Sequence, residues 1–285
     1  MNKIKNYLKL MRCHHYIKNI LIFLPLVFSK SLFDTQSVIR VLLGTISFCF
    51  VASIVYIIND IKDVEIDKKH DKKKYRPIAS GNVSIKEAIL LIIILIVFSI
   101  LINILLFGNN ISKYFWIILY LVLNILYSIK LKHVPILDIV ILAFGFLIRV
   151  FYGATIIDVE VSNWLYLTIL SFSFYMGLGK RRNEFIKMGN NGRKVLQYYN
   201  KSFLDNNMYM TLALTIVFYA LWCVDVNIAN IIWTVPIIMI ILMKYSLIIE
   251  GESHGDPVDV ILENKDLLFL VIIYAILMFL MIYFI

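Results

Sequence analysis

The sequence predicts an all-α integral membrane protein with nine transmembrane helices. Three observations carry this. Of the 285 residues, 61% are hydrophobic and only 16% charged, a balance outside that of ordinary soluble domains. Nine Ile- and Leu-rich runs approach the roughly 20 apolar residues that a hydrocarbon core requires. The Lys and Arg residues between those runs fall almost entirely on alternate connections. The runs are continuous, not alternating, so spanning helices fit and a β-barrel does not.

Taken in order, the chain opens with a segment, 1–16, that carries Lys3, Lys5, Lys9 and Arg12 and the apolar Ile4, Tyr7, Leu8 and Met11. It lacks a small-residue cleavage pattern and reads as a retained interfacial helix lying on the bilayer. The spans follow at about 17–34, 37–59, 85–107, 114–129, 134–157, 163–179, 207–225, 228–249 and 267–285. With nine spans, all but Lys30, Arg40, Lys113 and Arg149 of the 28 Lys and Arg residues lie on one side. The positive-inside rule makes that side cytoplasmic, together with the N-terminus, in the cell membrane. The net charge of +9 is then mostly topological bias and lipid anchoring, not a nucleic-acid surface. Cys13, Cys49 and Cys223 are far apart, with neither disulfide nor zinc spacing. No linker divides the chain, so 1–285 reads as one domain.

The charge of "YIINDIKDVEIDKKHDKKKYRPIASG" (Tyr56–Gly81) demands an explanation. Asp60, Asp63 and Asp67 are three and four apart, which on a helix places them on one face. Asn59 precedes Asp63 by four residues and Asp71 follows Asp67 by four. Like charges so arranged repel, and a cation should compensate them. Carboxylates and substrate phosphates together hold Mg²⁺, so the row suggests a Mg²⁺–diphosphate site at the membrane surface. The alternative is a solvated helix end paired with Lys62, Lys68, Lys69 and Lys72–Lys74. Acids at the end of an apolar helix are expensive unless they line a wet cavity, which favours the site.

"NDIKDVEID" (Asn59–Asp67) resembles the NDxxDxxxD pattern of UbiA-type intramembrane prenyltransferases. "RPIASG" (Arg76–Gly81) and "YSIKLK" (Tyr127–Lys132) are similar to further stretches of that family. The resemblance implies nine helices around a cytoplasm-facing cavity, with active-site loops at 60–84 and 180–205. Typical members carry a second acid-rich motif after the sixth span; here "YMGLGKRRNEF" (Tyr175–Phe185) has only Glu184 as an acid and presents Lys180, Arg181 and Arg182. A triple cation suits phosphate oxygens.

The same "GKRR" resembles one branch, the decaprenyl-phosphate phosphoribosyltransferases, as do "LKHVPILD" (Leu131–Asp138), "RVFYGA" (Arg149–Ala154) and "GDPVDVILENKDL" (Gly255–Leu267). "RCHHYIKN" (Arg12–Asn19) is similar to that branch's R-P-x-Q-W-x-K-N, with Cys13, His15 and Tyr16 replacing Pro, Gln and Trp. In the last of the other stretches Asp259 stands where a Glu is expected. The resemblance implies transfer of 5-phosphoribose from phosphoribosyl diphosphate to a polyprenyl phosphate lipid. Asp60 and Asp63 would hold Mg²⁺ on the leaving diphosphate, with Asp67 ligating directly or through water. Asn59 would contact the ribose or a metal-bound water. Arg76, Lys180 and Arg181 would clamp donor phosphates, and Lys18 with Arg12 the lipid phosphate. Tyr127 and Lys130 either reach the site or belong to a plain connector. An aromatic prenyltransferase of quinone or haem type, using a polyprenyl diphosphate, is the alternative that the basic "GKRR" disfavours. A transporter lacks support, because no inverted repeat is evident and the charges avoid the midplane.

Other polar residues leave alternatives open. Arg149 lies about 16 Å deeper than Asp138 along the fifth span, as a structural buried pair or a cavity residue. Asp138 is a cap-like acid or a site residue. The 252–259 loop, with Glu252, His254, Asp256 and Asp259, reads as a polar lid or as a metal site. The sequence is compatible with a homo-oligomer.

Overall fold

The computed structural model describes residues 3–188, 193–251 and 257–285. Every regular element among them is helical, and they group into two compact units. The first comprises Met1–Leu26, Ser31–Ser128 and Ile148–Val159; the second comprises Val27–Lys30, Ile129–Leu147 and Glu160–Ile285.

In the first unit, α1 (Lys3–Met11) leads into a 3-10 segment, Cys13–Phe23, that continues as α2 (Leu24–Phe28). Then come α3 (Thr35–Lys62), α4 (Val64–Lys68), α5 (Ile85–Phe107) and α6 (Phe115–Ile129). The C-terminal half of α7 (Leu137–Ile156) also belongs to this unit. Asp34 caps α3 by accepting from the backbone of Gln36 and Ser37 at 3.2 and 3.1 Å. Ser84 and Glu87 form a reciprocal capping box at the start of α5. The outer face of α5 remains apolar, with Ile89, Leu90, Ile93, Val97 and Leu101 exposed, as a lipid-facing helix requires. Inside, Ile22, Val41, Phe48, Val55, Tyr120 and Tyr152 make one core and Leu10, Ile54, Ile57 and Ile78 another. Polar side chains within the spans satisfy one another: Asn103 donates to Ser47 at 2.6 Å and accepts from Tyr152 at 2.9 Å.

The second unit contains the N-terminal half of α7, α8 (Asn163–Met188), α9 (Lys201–Asp225), α10 (Val235–Glu250), α11 (Pro257–Glu263) and α12 (Lys265–Phe284). Tyr175, Leu196, Leu204, Met208, Tyr245 and Ile249 form its larger core. Asn200 and Asn264 cap α9 and α12 through Phe203 and Leu267.

Seven of the described helices are long and apolar enough to cross a membrane. The other two segments expected to span depart for identifiable reasons. Cys13–Phe28 is short and begins as a 3-10 helix. In α8 the apolar run is diluted by Ser171, Ser173 and Tyr175, and the helix continues through Lys180–Met188, which the sequence places in a loop. The interior of the unit retains those last turns, because Arg181, Arg182 and Asn183 are all buried.

Candidate active site

The last three turns of α3 present Ser53, Tyr56 and Asp60, spaced to share one face. Ser53, fully buried, donates to the Met11 carbonyl at 3.0 Å and pairs with the Tyr16 hydroxyl at 2.7 Å. These two bonds pin the chain on either side of Arg12, which sits in the left-handed region at φ 54°, ψ 48°. That conformation costs a non-glycine residue energy and ends α1. It turns the guanidinium over the Tyr56 ring, 4.9 Å from its centroid, and onto Asp60 Oδ1 at 2.5 Å.

The acids do not form the uninterrupted stripe that their spacing suggests. The helix breaks at Asp63 (φ −92°, ψ 7°) and restarts as α4. Asp60 and Asp67 are each 2% exposed, whereas Asp63 is half-buried and has no ion pair among the described residues. One nitrogen, Arg76 Nη1, bridges the buried pair, at 3.2 Å from Asp60 Oδ1 and 2.6 Å from Asp67 Oδ2. Arginines thus compensate the buried acids. Lys62 instead donates to the Ser128 carbonyl, and Lys68 pairs with Glu65. Arg76 is carried by a turn in which Ser80 N–H donates to the Arg76 carbonyl and Gly81 takes φ 75°.

A cavity of about 280 Å³ opens beside Asp60, lined by Lys9, Arg12, His14, His15, Arg76 and Pro77. Of the residues singled out in the sequence, Asp60, Arg12 and Arg76 meet here. Asn59, Lys18 and Tyr127 are half-buried and do not line the cavity; Lys130 is exposed just past α6. Lys9 and the two histidines carry no spacing signal that would have marked them. Among the described residues, no three His, Cys, Asp or Glu side chains cluster as a metal cage. The donor chemistry nevertheless fits Mg²⁺. Two hard carboxylates already share one bridging cation, and Mg²⁺ commonly uses one or two carboxylates completed by substrate phosphates.

Deeper in the first unit, Arg149 donates to Asn19 Oδ1 at 2.7 Å and lies 5.0 Å from the Phe48 and Tyr120 ring centroids. Gly153, one turn on, allows α7 to touch the Cys13–Phe23 segment: a Cβ there would lie 2.1 Å from the Ile22 carbonyl oxygen. As placed, Arg149 ties α7 to the Cys13–Phe23 segment, which follows directly on Arg12.

The second unit holds the basic stretch. Arg181 is fully buried; its Nε donates to Asp138 Oδ2 and its Nη1 to Glu184 Oε2 at 2.6 Å. Tyr199 donates to the other Asp138 oxygen at 2.6 Å and accepts from Ile136 N–H at 2.6 Å. Burial and the Asp138 hydrogen bond push the Tyr199 hydroxyl above its ordinary range, so it remains a donor. Asp138 is therefore an ion-pair anchor, not a helix cap, and Arg181 is enclosed by acids instead of standing open. Arg182 pairs with Asp205 at 2.5 Å, and its buried Nη1 has no partner among the described residues. Lys180 is half-buried. Glu252, His254 and Asp256 lie outside the described residues; Asp259 is in the first turn of α11.

The chain belongs to the UbiA prenyltransferase family, whose model matches residues 20–258. It is an all-helical integral membrane protein of that fold. It is 31% identical over 285 aligned residues to the decaprenyl-phosphate phosphoribosyltransferase of Mycolicibacterium smegmatis, covering 93% of this chain and 89% of the relative. The protein of the same name from Corynebacterium glutamicum is 30% identical over 272 residues, covering 91% and 81%. Among solved structures, a UbiA homolog from Archaeoglobus fulgidus bound to GPP and Mg²⁺ superposes with a TM-score of 0.74 at 20% identity, covering 98% of this chain and 100% of that one.

Proposed function

We propose that the protein transfers 5-phosphoribose from phosphoribosyl diphosphate to a polyprenyl phosphate, releasing diphosphate. The observation that carries this reading is the likeness, across more than nine-tenths of the chain, to relatives named for decaprenyl-phosphate phosphoribosyl transfer. The cationic cavity beside Asp60 supports it, since three phosphate groups must be held at once. The site faces the cytoplasm of the cell membrane, on the side where Lys and Arg accumulate.

In the reaction the C1–O bond to diphosphate breaks, its electron pair leaving on the diphosphate oxygen. A lipid phosphate oxygen forms the new bond to C1. That oxygen is already ionised, so no strong general base is needed, and catalysis rests on positioning and electrostatics. Asp60 and Asp67, with Asp63 directly or through water, would hold Mg²⁺. The ion supplies positive charge against the oxygens of the departing diphosphate. Arg76, which bridges the same two carboxylates, would also be the cation nearest the donor phosphates. Arg12 and Lys18 hold the lipid phosphate, and Asn59 contacts the ribose. From the basic stretch, Lys180 would meet a donor phosphate, while Arg181 shapes that stretch's backbone through Asp138.

Membranes containing the protein should form a polyprenyl-phosphoribose from phosphoribosyl diphosphate and polyprenyl phosphate with Mg²⁺, and none with EDTA. Product from a prenyl diphosphate and an aromatic acceptor, with none from phosphoribosyl diphosphate, would replace this reading with an aromatic prenyltransferase.

A further inference from the structure

Arg12 and Arg76 are matched in charge by Asp60 and Asp67, yet the cavity they border has a further wall. Lys9 reaches it from the last turn of α1, its ammonium 3.1 Å from the Tyr75 carbonyl. His14 and His15 reach it from the first turn of the 3-10 segment, their ring centroids 4.1 Å apart. The His15 ring lies 5.5 Å from the Tyr56 ring, which also carries the Arg12 guanidinium. The wall is built, not incidental. Ser53 bonds to Met11 and Tyr16, the left-handed turn at Arg12 lies between them, and both histidines fall inside that clamped stretch. The volume of about 280 Å³ equals that of about nine liquid waters, enough for a phosphate group with a sugar or lipid stem.

We propose that Lys9, His14 and His15 form a phosphomonoester subsite distinct from the Asp60–Asp67 pair. The assignment rests on the phosphoribosyl-transfer reading for which substrate occupies it. An ammonium and two imidazoles are hydrogen-bond donors to phosphate oxygens, and the lysine supplies charge beyond what the two carboxylates neutralise. A monoester is carried both by the 5-position of the donor and by the lipid acceptor. The other donor phosphate group, the diphosphate, belongs beside the carboxylates, where the Arg76 bridge marks the cation position. The histidine pair also makes the subsite a feature of this chain, because His15 stands where the similar motif has Gln.

The test uses purified full-length protein in detergent and three probes: inorganic phosphate, ribose 5-phosphate and farnesyl phosphate. Lys9→Met, His14→Ala and His15→Ala should each weaken binding of inorganic phosphate about tenfold, and His15→Gln, which keeps a donor, should weaken it less. The chain's thermal midpoint should be unchanged in all four variants. A parallel loss confined to ribose 5-phosphate assigns the subsite to the donor; one confined to farnesyl phosphate assigns it to the acceptor. Binding of all three probes within twofold of the parent in every alanine and methionine variant overturns the subsite, even where the parent turns over phosphoribosyl diphosphate. A parent that does not use phosphoribosyl diphosphate, but whose variants lose inorganic phosphate, instead overturns the function and retains the subsite.

Discussion

Arg76 and Arg181 both sit beside two carboxylates, and they should answer removal differently. Arg181 is fully enclosed, so Arg181→Met leaves Asp138 and Glu184 without their buried counter-charge. Breaking such a pair costs about 3–5 kcal/mol, and the thermal midpoint in detergent should fall, whereas Lys180→Ala should leave it unchanged. An Arg181→Met protein that keeps its midpoint and loses only turnover would make Arg181 a phosphate ligand after all. At the acid pair the expectation reverses. Asp60→Asn and Asp67→Asn should lower kcat by at least about 100-fold in a protein that still elutes as a folded species. Retention of full activity by either would remove the carboxylates from the proposed chemistry. The row of acids itself was legible in the sequence, because their spacing is local information, but the single helical face it suggested is broken at Asp63. Their division into a buried pair and a half-buried break residue was not legible, because it depends on Arg12 and Arg76 arriving from elsewhere.

Elements act here by fixing where side chains begin. The 3-10 segment Cys13–Phe23 lies so close to α7 that Gly153 has no room for a Cβ. Gly153→Val should force the two apart, costing about 1–3 kcal/mol. By loosening the Arg149–Asn19 bond it should also raise KM for substrate before it abolishes turnover. A variant with unchanged midpoint and kinetics would show that the segment is placed independently of α7. Helix α8 makes the complementary point. Its apolar run ends near Gly179, and Lys180-Arg181-Arg182 reads as a loop if charge is equated with solvent. The helix persists because Asp138, Glu184 and Asp205 supply partners for two of those cations, a compensation that hydropathy does not register.

For the whole molecule, the one-sided distribution of Lys and Arg makes a topological claim. In a background with Cys13, Cys49 and Cys223 all replaced by Ser, Lys9→Cys and Lys132→Cys should each react with an impermeant maleimide only from the cytoplasmic side. Lys113→Cys should react only from the opposite side. Labelling of Lys9 and Lys113 positions from the same side would break the alternation of spans. The membrane class and seven of the nine expected spans were readable in the order of residues, because lipid transfer sums over contiguous segments. The partners of the buried charges were not. Arg12 meets Asp60 across 48 positions, Arg181 meets Asp138 across 43, and Arg149 meets Asn19 across 130. No local periodicity chooses among so many candidate pairs. Packing chooses them, since a buried ion is tolerated only where geometry delivers its counter-charge and hydrogen bonds.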